Sequence, residues 1–268
     1  MLIEYDGYTL EKTDGLGILT FNRPDRYNAM TTKMIFVEFP KLFKDLHYDD
    51  DIRALIITGT GDKAFSAGFD VNEIISATGG RPPEWNILEK MQPFGYFAEP
   101  LYQLERPVIA ALNGVAAGAG ASMALLSDIR IASENARFSM AFVKRGLIPD
   151  AGATFLLPRL IGTSKAFEIM YTGDTIDAKT AYDIGLVNKI VPAASLMDEA
   201  KALAMKLLKN SPLALAQVKR AIHGGIVNNF EQQLVVESYA QALLRNTQDF
   251  HEATDAFLNK REPEFKGQ

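Results

Sequence analysis

Two stretches of the chain share one design, in which an apolar strand runs into a turn of small residues that opens a helix. The stretches are LIITGTGDKAFSAGFDVNEI and VIAALNGVAAGAGASMALLSD. Short buried strands that alternate with helices predict an α/β fold. Small residues let a ligand approach the backbone closely, and a helix start leaves N–H groups without partners. Either turn can therefore present donors to an oxygen anion, although tight strand–helix packing also explains one such turn.

The flanking segments predict an α/β body followed by helices. YTLEKTDGLGILTFNRP has the pattern of a hairpin, and DIRIAS has the pattern of a third buried strand. A helix is expected after Thr31 or Thr32, with Pro40 interrupting or kinking it.

Helical patterns dominate from about Ala193 onward. We therefore predict an α/β body over residues 1–192, with both turns, and a helical region over residues 193–268.

Composition excludes several classes of protein. The 268 residues include no cysteine, which excludes disulfides, thiolate nucleophiles and Cys-ligated metals. The formal net charge of -5 gives no reason to expect nucleic acid as a partner. The N-terminus lacks a signal-peptide pattern, and no apolar run approaches the roughly 20 residues of a membrane helix. We expect a soluble cytoplasmic protein without membrane contact.

Nucleotide and nucleophile motifs fail at the two turns. Gly118 and Gly120 form a GxG, but Met123 occupies the third position of the dinucleotide fingerprint. GTGDKAF lacks the ending of a phosphate-binding loop, and the histidines have no paired spacing for a metal. We expect neither a metal nor a nicotinamide cofactor. None of the nearby serines stands in a GxSxG elbow: Ser66, Ser122 and Ser139.

Several motifs in one order resemble the enoyl-CoA hydratase/isomerase, or crotonase, superfamily. FNRPDRYNAM resembles its N-terminal signature, and AFSAGFDVNE and LNGVAAGAGASMALLSDIRIASENARFSM resemble its two oxyanion segments. GLIPDAGATFLLPRLIG and AFLNKREPEFKG continue the match, which covers nearly the whole chain. The resemblance implies a spiral of ββα units with C-terminal helices for trimerisation, and a homotrimer or dimer of trimers. It also implies an acyl-CoA substrate, with coenzyme A as part of that substrate and no further cofactor.

The resemblance also implies the residues that contact the substrate. The backbone N–H groups of Phe69 and Ala119 would bind the thioester oxygen, each contributing about 3 kcal/mol to an oxyanion. Arg26 and Lys63 would approach the CoA phosphates, while a solvated surface charge explains these two side chains equally well. The remaining implied CoA contacts are Ala29, Ala64, Ser66 and Gly68, with Phe257 and Lys260 at the adenine end, from the same or a neighbouring subunit.

The chain departs from the hydratase pattern at the positions that carry acid and base. Ser122 and Phe142 stand where hydratases of this family have two glutamates, and neither can act as the required general acid/base. Asp150 stands where hydratases usually have glycine. The resemblance is strongest to family members with aspartate here, the enoyl-CoA isomerases and epoxyphenylacetyl-CoA isomerases. Asp150 is therefore the expected acid/base, made more basic by apolar neighbours such as Ile148 and Phe155.

Two other interpretations of Asp150 stay open. Benzoyl-CoA dehalogenases use an aspartate at this position as nucleophile, but their tryptophan and histidine partners are missing from the corresponding positions here. Alternatively, the chain is a non-catalytic acyl-CoA-binding subunit in which Asp150 caps the helix that starts at AGATFLL.

The acyl pocket is expected to include Phe142 and Trp85. Trp85 lies in a polar stretch with glycine and proline, residues 76–95, which has the composition of a lid.

Overall fold

The computed structural model describes residues 1–73 and 97–268, and two sheets organise that part of the chain. The described strands are β1 (Leu2–Tyr5), β2 (Tyr8–Thr13), β3 (Gly15–Phe21), β4 (Ile52–Gly59), β5 (Ala64–Ser66), β6 (Val108–Leu112), β7 (Val115–Ala117), β8 (Ile129–Ser133), β9 (Arg137–Ser139), β10 (Thr175–Asp177) and β11 (Lys189–Val191). The first sheet has the order β1-β2-β3-β4-β6-β8-β11, and the second has the order β10-β9-β7-β5.

Helices connect and cover these sheets. The described α-helices are α1 (Phe39–His47), α2 (Ala98–Tyr102), α3 (Ala119–Leu126), α4 (Ala153–Ile161), α5 (Thr163–Thr172), α6 (Ala178–Asp183), α7 (Leu196–Leu208), α8 (Pro212–Gly225), α9 (Phe230–Leu244) and α10 (Gln248–Leu258).

The connectivity is a spiral of ββα units. Three successive strand pairs, β4 with β5, β6 with β7, and β8 with β9, each give one strand to the first sheet and one to the second. The strands of the three units pair in parallel within each sheet. Parallel pairing requires a long crossover connection between strands, which is usually helical. This architecture confirms the predicted α/β class and spiral, and it places successive strand–helix turns beside one another.

The central strands of the first sheet are buried on both faces, which explains their continuous apolar runs. Along β4, Leu55 and Ile57 pack into the core between the sheets, whereas Ala54 and Ile56 pack on the opposite face. On that opposite face, Ala200 of α7 is fully buried. The helix α7 is thus a layer of the body, so the structure extends the body beyond the predicted boundary at residue 192.

The N-terminal elements follow the sequence signals. The hairpin turns at Asp14 and Gly15, which have φ of 49° and 83°, and β2 pairs antiparallel with β3. Thr31 accepts the N–H of Met34 at 3.1 Å, and a π-helical segment then leads into α1. Pro40 lies in the first turn of α1 and has no N–H to donate, so the predicted interruption takes the form of this π-helical segment.

The helices after α7 are more exposed. The helix α8 is held to the body by Lys219, whose Nζ donates to Asp128 at 2.9 Å and to the carbonyl of Arg106 at 3.1 Å. No residue of the helix α9 is buried within the single chain. Over the two described ranges, no helix combines the length and apolar character needed to cross a membrane.

Candidate active site

The two small-residue turns meet at the N-terminus of α3. Gly68 has φ of 90°, and a Cβ atom there would lie 2.7 Å from the carbonyl oxygen of Ala117 and 2.9 Å from the nitrogen of Ala119. A Cβ atom on Gly120 would collide with the backbone of Ser66. Side chains at either glycine would force the turns apart, so these residues permit the close approach. The fold therefore brings the two predicted oxyanion segments together.

The N–H groups of Phe69 and Ala119 lie at this junction. Met30 donates to the carbonyl of Gly68 at 2.7 Å and accepts from Asp70 at 2.9 Å, which fixes the backbone on both sides of Phe69. Ala119 is the first residue of α3, where backbone N–H groups have no acceptor within the helix. Within residues 1–73 and 97–268, neither N–H has a backbone acceptor. The two groups are available to an anionic oxygen, and the binding of a thioester there stays a prediction.

An arginine that the sequence reasoning missed holds the first turn in place. Arg23 donates to the carbonyl of Ala29 at 2.7 Å and to a carboxylate oxygen of Asp70 at 3.1 Å. The other oxygen of Asp70 accepts the N–H of Asn72 at 3.2 Å, as a residue at a helix start does. Because the Asp70 side chain is only 9% exposed, the ion pair lies mostly out of water. The signal in the sequence was Asp70 itself, because an aspartate that directly follows a turn of small residues needs a cationic partner if it is buried.

Ser66 supports the turn from inside the protein. Its hydroxyl donates to the carbonyl of Asn28 at 2.8 Å and accepts the N–H of Gly68 at 3.2 Å. Its exposed fraction is zero. The expectation that the Ser66 side chain lines the path of CoA is therefore wrong, because its hydroxyl is used within the fold.

A groove forms where CoA contacts were expected. It has a volume of about 260 Å³ and is lined by Pro24, Asp25, Asn28 and the segment Thr60–Ala64. Lys63 is exposed in this lining, and the exposed Arg26 follows directly after Asp25. Lys63 thus lines this groove and Arg26 adjoins it in the sequence, and phosphate binding by either residue stays a prediction.

Two asparagines that the sequence reasoning missed fix the shape of this groove. Asn28 has φ of 54° and donates to the carbonyl oxygens of Thr60 at 3.0 Å and Ala64 at 2.7 Å. Asn113 donates to the carbonyl oxygens of Ala64 and Gly61, both at 2.9 Å. Asparagine tolerates the left-handed backbone that Asn28 adopts, which was the signal available in the sequence.

The expected adenine contacts do not join this groove within one chain. Phe257 lies near the end of α10 and is 83% exposed, and Lys260 follows that helix with φ of 54°. Neither residue is part of the lining of the groove. Their expected contact with the adenine end stays a prediction, and it would come from a neighbouring subunit.

Asp150 precedes a turn with unusual backbone geometry. Ala151 and Gly152 have φ of 49° and 81°, and left-handed values are rare for alanine. The helix α4 starts at Ala153 with Gly152 as its N-cap and without a side-chain capping bond. The alternative interpretation in which Asp150 caps this helix is therefore wrong, because its carboxylate makes no capping bond to the helix N–H groups.

The environment of Asp150 favours its protonated form more than water does. Burial raises the pKa of Asp150 to about 6, and a hydrogen bond from its own backbone N–H lowers the pKa by less. Its Oδ1 is buried and has no hydrogen-bond partner among the described residues. A carboxylate that is deprotonated at neutral pH and poorly solvated is a good proton acceptor.

The two positions of the hydratase glutamates are filled by other contacts. The hydroxyl of Ser122 donates to the backbone carbonyl of Asp150 at 3.0 Å and makes a longer contact of 3.4 Å with the carbonyl of Gly118. Phe142 is 9% exposed, and its ring tip lies 3.9 Å from where a Cβ atom on Gly118 would be. The aromatic ring therefore packs beside the junction of the turns, at a site where a second acid would be needed for hydration.

Other predicted pocket residues have different outcomes. Ile148 is 74% exposed, so the expectation that it helps to bury Asp150 is wrong. Phe155 is 38% exposed and packs edge-on against Tyr102, which leaves its part in the pocket a prediction. Trp85 and the predicted lid, residues 76–95, lie outside the described residues.

The chain is similar to known proteins over nearly its whole length. The family model described as Enoyl-CoA hydratase/isomerase matches residues 11–268. The 1,2-epoxyphenylacetyl-CoA isomerase of Escherichia coli is 39% identical over 254 residues, covering 94% of this chain and 95% of that protein. The short-chain-enoyl-CoA hydratase of Clostridium acetobutylicum is 36% identical and covers 98% of both chains. A solved enoyl-CoA hydratase from Bacillus anthracis superposes with a TM-score of 0.90 at 33% identity, covering 98% of this chain and 100% of that one.

Proposed function

The chain belongs to the enoyl-CoA hydratase/isomerase family, and from that premise we propose that it is an acyl-CoA isomerase with Asp150 as its acid/base. The proposed reaction moves a double bond between 3-enoyl-CoA and 2-enoyl-CoA, or isomerises a ring epoxide of an aromatic acyl-CoA. It requires neither a metal nor a nicotinamide. The observation that carries the proposal is the buried, poorly solvated carboxylate of Asp150, in a site where Ser122 and Phe142 stand at the positions of the two family glutamates.

The proposed double-bond shift needs one group that moves a proton and two that stabilise charge. The carboxylate of Asp150 takes a proton from C2 of a 3-enoyl thioester, and the electron pair moves to the thioester oxygen. The N–H groups of Phe69 and Ala119 stabilise the resulting dienolate. Asp150 then returns the proton to C4, which leaves the double bond between C2 and C3. No atom is gained or lost, so one carboxylate suffices.

Hydration is less compatible with these residues. Adding water across a double bond requires the water to be positioned and two proton transfers to be managed. Ser122 donates its hydroxyl to a backbone carbonyl, and Phe142 presents a hydrocarbon ring. The family includes proteins named as hydratases at similar identity, so this difference in residues, not overall similarity, favours isomerisation.

An assay of the purified protein tests this proposal. We expect interconversion of 3-enoyl-CoA and 2-enoyl-CoA, or of an epoxide and oxepin pair of a ring-bearing acyl-CoA, in the presence of a chelator. Asp150→Asn should lower kcat at least about 100-fold, because it removes the proton-transfer group and keeps its shape. Full activity in the Asp150→Asn variant would exclude Asp150 as the base. Chloride release from 4-chlorobenzoyl-CoA would instead support the nucleophilic dehalogenase reaction.

We also propose that the protein is a homotrimer or a dimer of trimers. The helix α9 has no residue buried within the chain, yet it carries Phe230, Tyr239 and Leu243 at 75%, 76% and 58% exposure. Apolar surface of this extent on one helix is typical of a subunit interface. An interface here would also place α10 of one subunit near another, as the predicted adenine contacts require.

A further inference from the structure

Ser122 connects Ala119, an expected oxyanion donor, to Asp150, the expected acid/base. It lies on α3 and is fully buried. We propose that Ser122 is a positioning residue, whose hydroxyl holds the backbone of Asp150 at a fixed distance from the oxyanion donor Ala119. The inference rests on the proposed function and adds a role at the very position where hydratases of this family carry a glutamate.

The helix α3 fixes the separation between Ala119 and Ser122. Ala119 is the first residue of this helix, and Ser122 follows it within one turn. The N–H of Ser122 donates to the carbonyl of Gly118 at 3.0 Å, which fixes Ser122 relative to the start of the helix. Its hydroxyl then donates to the carbonyl of Asp150 at 3.0 Å. One helical turn and one hydrogen bond therefore connect Ala119, the proposed oxyanion donor, to Asp150, the proposed acid/base.

The backbone after Asp150 needs such an anchor. Ala151 and Gly152 both have left-handed backbone angles, and a non-glycine residue in that region persists only where surrounding contacts fix it. The carbonyl of Asp150 accepts from the N–H of Ala153 at 3.0 Å as well as from Ser122. Removal of the hydroxyl leaves this carbonyl with one donor. The turn should then survive, but with greater freedom to rotate the carboxylate away from the substrate.

The test compares two alanine substitutions on the same helical segment. Ser122→Ala removes the hydroxyl that contacts Asp150. Ser127→Ala is the matched control, because Ser127 is 3% exposed and its hydroxyl contacts the carbonyl of Met123 at 3.4 Å, four residues before it. We expect Ser122→Ala to lower kcat about 10-fold with KM changed less than about twofold, because misplacement of a catalytic group affects the chemical step. Ser127→Ala should leave both constants near those of the unchanged protein.

A second measurement is independent of turnover. Carbon-13 NMR of proteins with labelled aspartate follows the titration of the Asp150 carboxyl, identified by the loss of its signal in Asp150→Asn. We expect Ser122→Ala to lower the pKa of Asp150 towards that of a solvated aspartate, because a freer turn exposes the carboxylate to water. Ser127→Ala should leave this pKa unchanged.

The outcomes separate the inference from the proposed function. If Asp150→Asn is inactive while Ser122→Ala matches Ser127→Ala in kcat and in the titration of Asp150, the positioning role is wrong and the function stands. If Asp150→Asn keeps full activity, the proposed function is wrong. In that case a titration shift confined to Ser122→Ala would still show that Ser122 positions the carboxylate.

Discussion

Asp150 shows how position within a fold changes the chemistry of one residue. An aspartate in water is ionised above a pH of about 4 and is a weak base. In this fold, burial raises its pKa to about 6, and one of its oxygens has no hydrogen-bond partner among the described residues. The same burial that increases its basicity also makes its charged form costly to the fold. Asp150 should therefore be required for activity and should lower the stability of the fold at neutral pH.

The activity should have an acidic limit set by Asp150. The proposed base must be deprotonated, and its pKa in the folded protein is raised from 3.8 to about 6. We predict that kcat/KM falls about tenfold per pH unit below a pH of about 6, because this constant reports the ionisation of the free enzyme. Initial rates between about pH 4.5 and 8 would measure it. A profile that stays flat down to about pH 4.5 would show that Asp150 does not titrate in the active protein.

The stability should change in the opposite direction when Asp150 is replaced. A carboxyl whose folded pKa lies above its unfolded pKa loses its favourable contribution as pH rises from about 4 to about 6. Asp150→Asn removes this loss, and we predict a gain of about 2 kcal/mol in the free energy of unfolding at pH 7, allowing for partial exposure. Urea unfolding at pH 7 and at about pH 4 would measure both values. The gain should vanish at the lower pH, and an equal gain at both would contradict the account.

At the scale of elements, the site depends on two strand–helix turns that touch. Neither turn alone is specific, and each by itself is compatible with ordinary packing. Their significance arises because the ββα spiral places β5 beside β7, so that Gly68 reaches the start of α3. Hydrogen-bond donors from separate segments then converge on one point.

A side chain at Gly68, between the two turns, should abolish activity. A Cβ atom on Gly68 would lie 2.7 Å from the carbonyl oxygen of Ala117, so Gly68→Ala must push the turns apart. We predict a loss of activity of at least about 100-fold, as expected when an oxyanion donor is displaced. Gly185→Ala is the matched control, because Gly185 has φ of 81° but its Cβ atom would approach nothing closer than 3.8 Å. Steady-state kinetics of both variants would test this, and equal activities would contradict the importance of the close approach.

Most elements were predictable because their signals are local. The apolar runs became β4, β6 and β8, and the Asp14-Gly15 hairpin and the C-terminal helices also formed where their patterns indicated. The missed contacts are long-range. Arg23 reaches Asp70 across 47 residues, and Ser122 reaches Asp150 across 28. No local periodicity encodes such pairs, so the supports of the site became visible only in the fold.

The wrong expectations have the same origin. One alternative interpretation made Asp150 a helix cap because aspartate commonly is one, yet left-handed angles at Ala151 and Gly152 make Gly152 the N-cap instead. Ser66 was placed on the ligand path by its neighbours in sequence, but the fold turns its side chain inward. The backbone angles of two or three residues decide whether such a side chain caps a helix, lines a site or lies in the interior. Residue type alone does not specify those angles.

At the scale of the whole molecule, the exposed apolar surface of α9 is a feature that one chain leaves unexplained. We predict that the native mass corresponds to three or six chains. Tyr239→Glu should shift the protein to a smaller species, because it places a charge in the proposed interface. Tyr48→Glu is a matched control on the body, since Tyr48 is 83% exposed and Tyr239 is 76% exposed. Light scattering after size exclusion would measure the masses, and a monomeric unchanged protein would contradict the prediction.

In the proposed reaction, Asp150 moves a proton between carbons of an acyl thioester. Exchange of solvent deuterium into a panel of acyl-CoAs, followed by mass spectrometry and NMR, tests it most directly. We predict that the unchanged protein introduces deuterium at C2 and C4 of the enoyl chain, the two carbons between which the proton moves. Asp150→Asn should still bind acyl-CoA but exchange at least about 100-fold more slowly. Exchange at an unchanged rate in Asp150→Asn, or acyl-CoA binding without exchange in the unchanged protein, would contradict the claim.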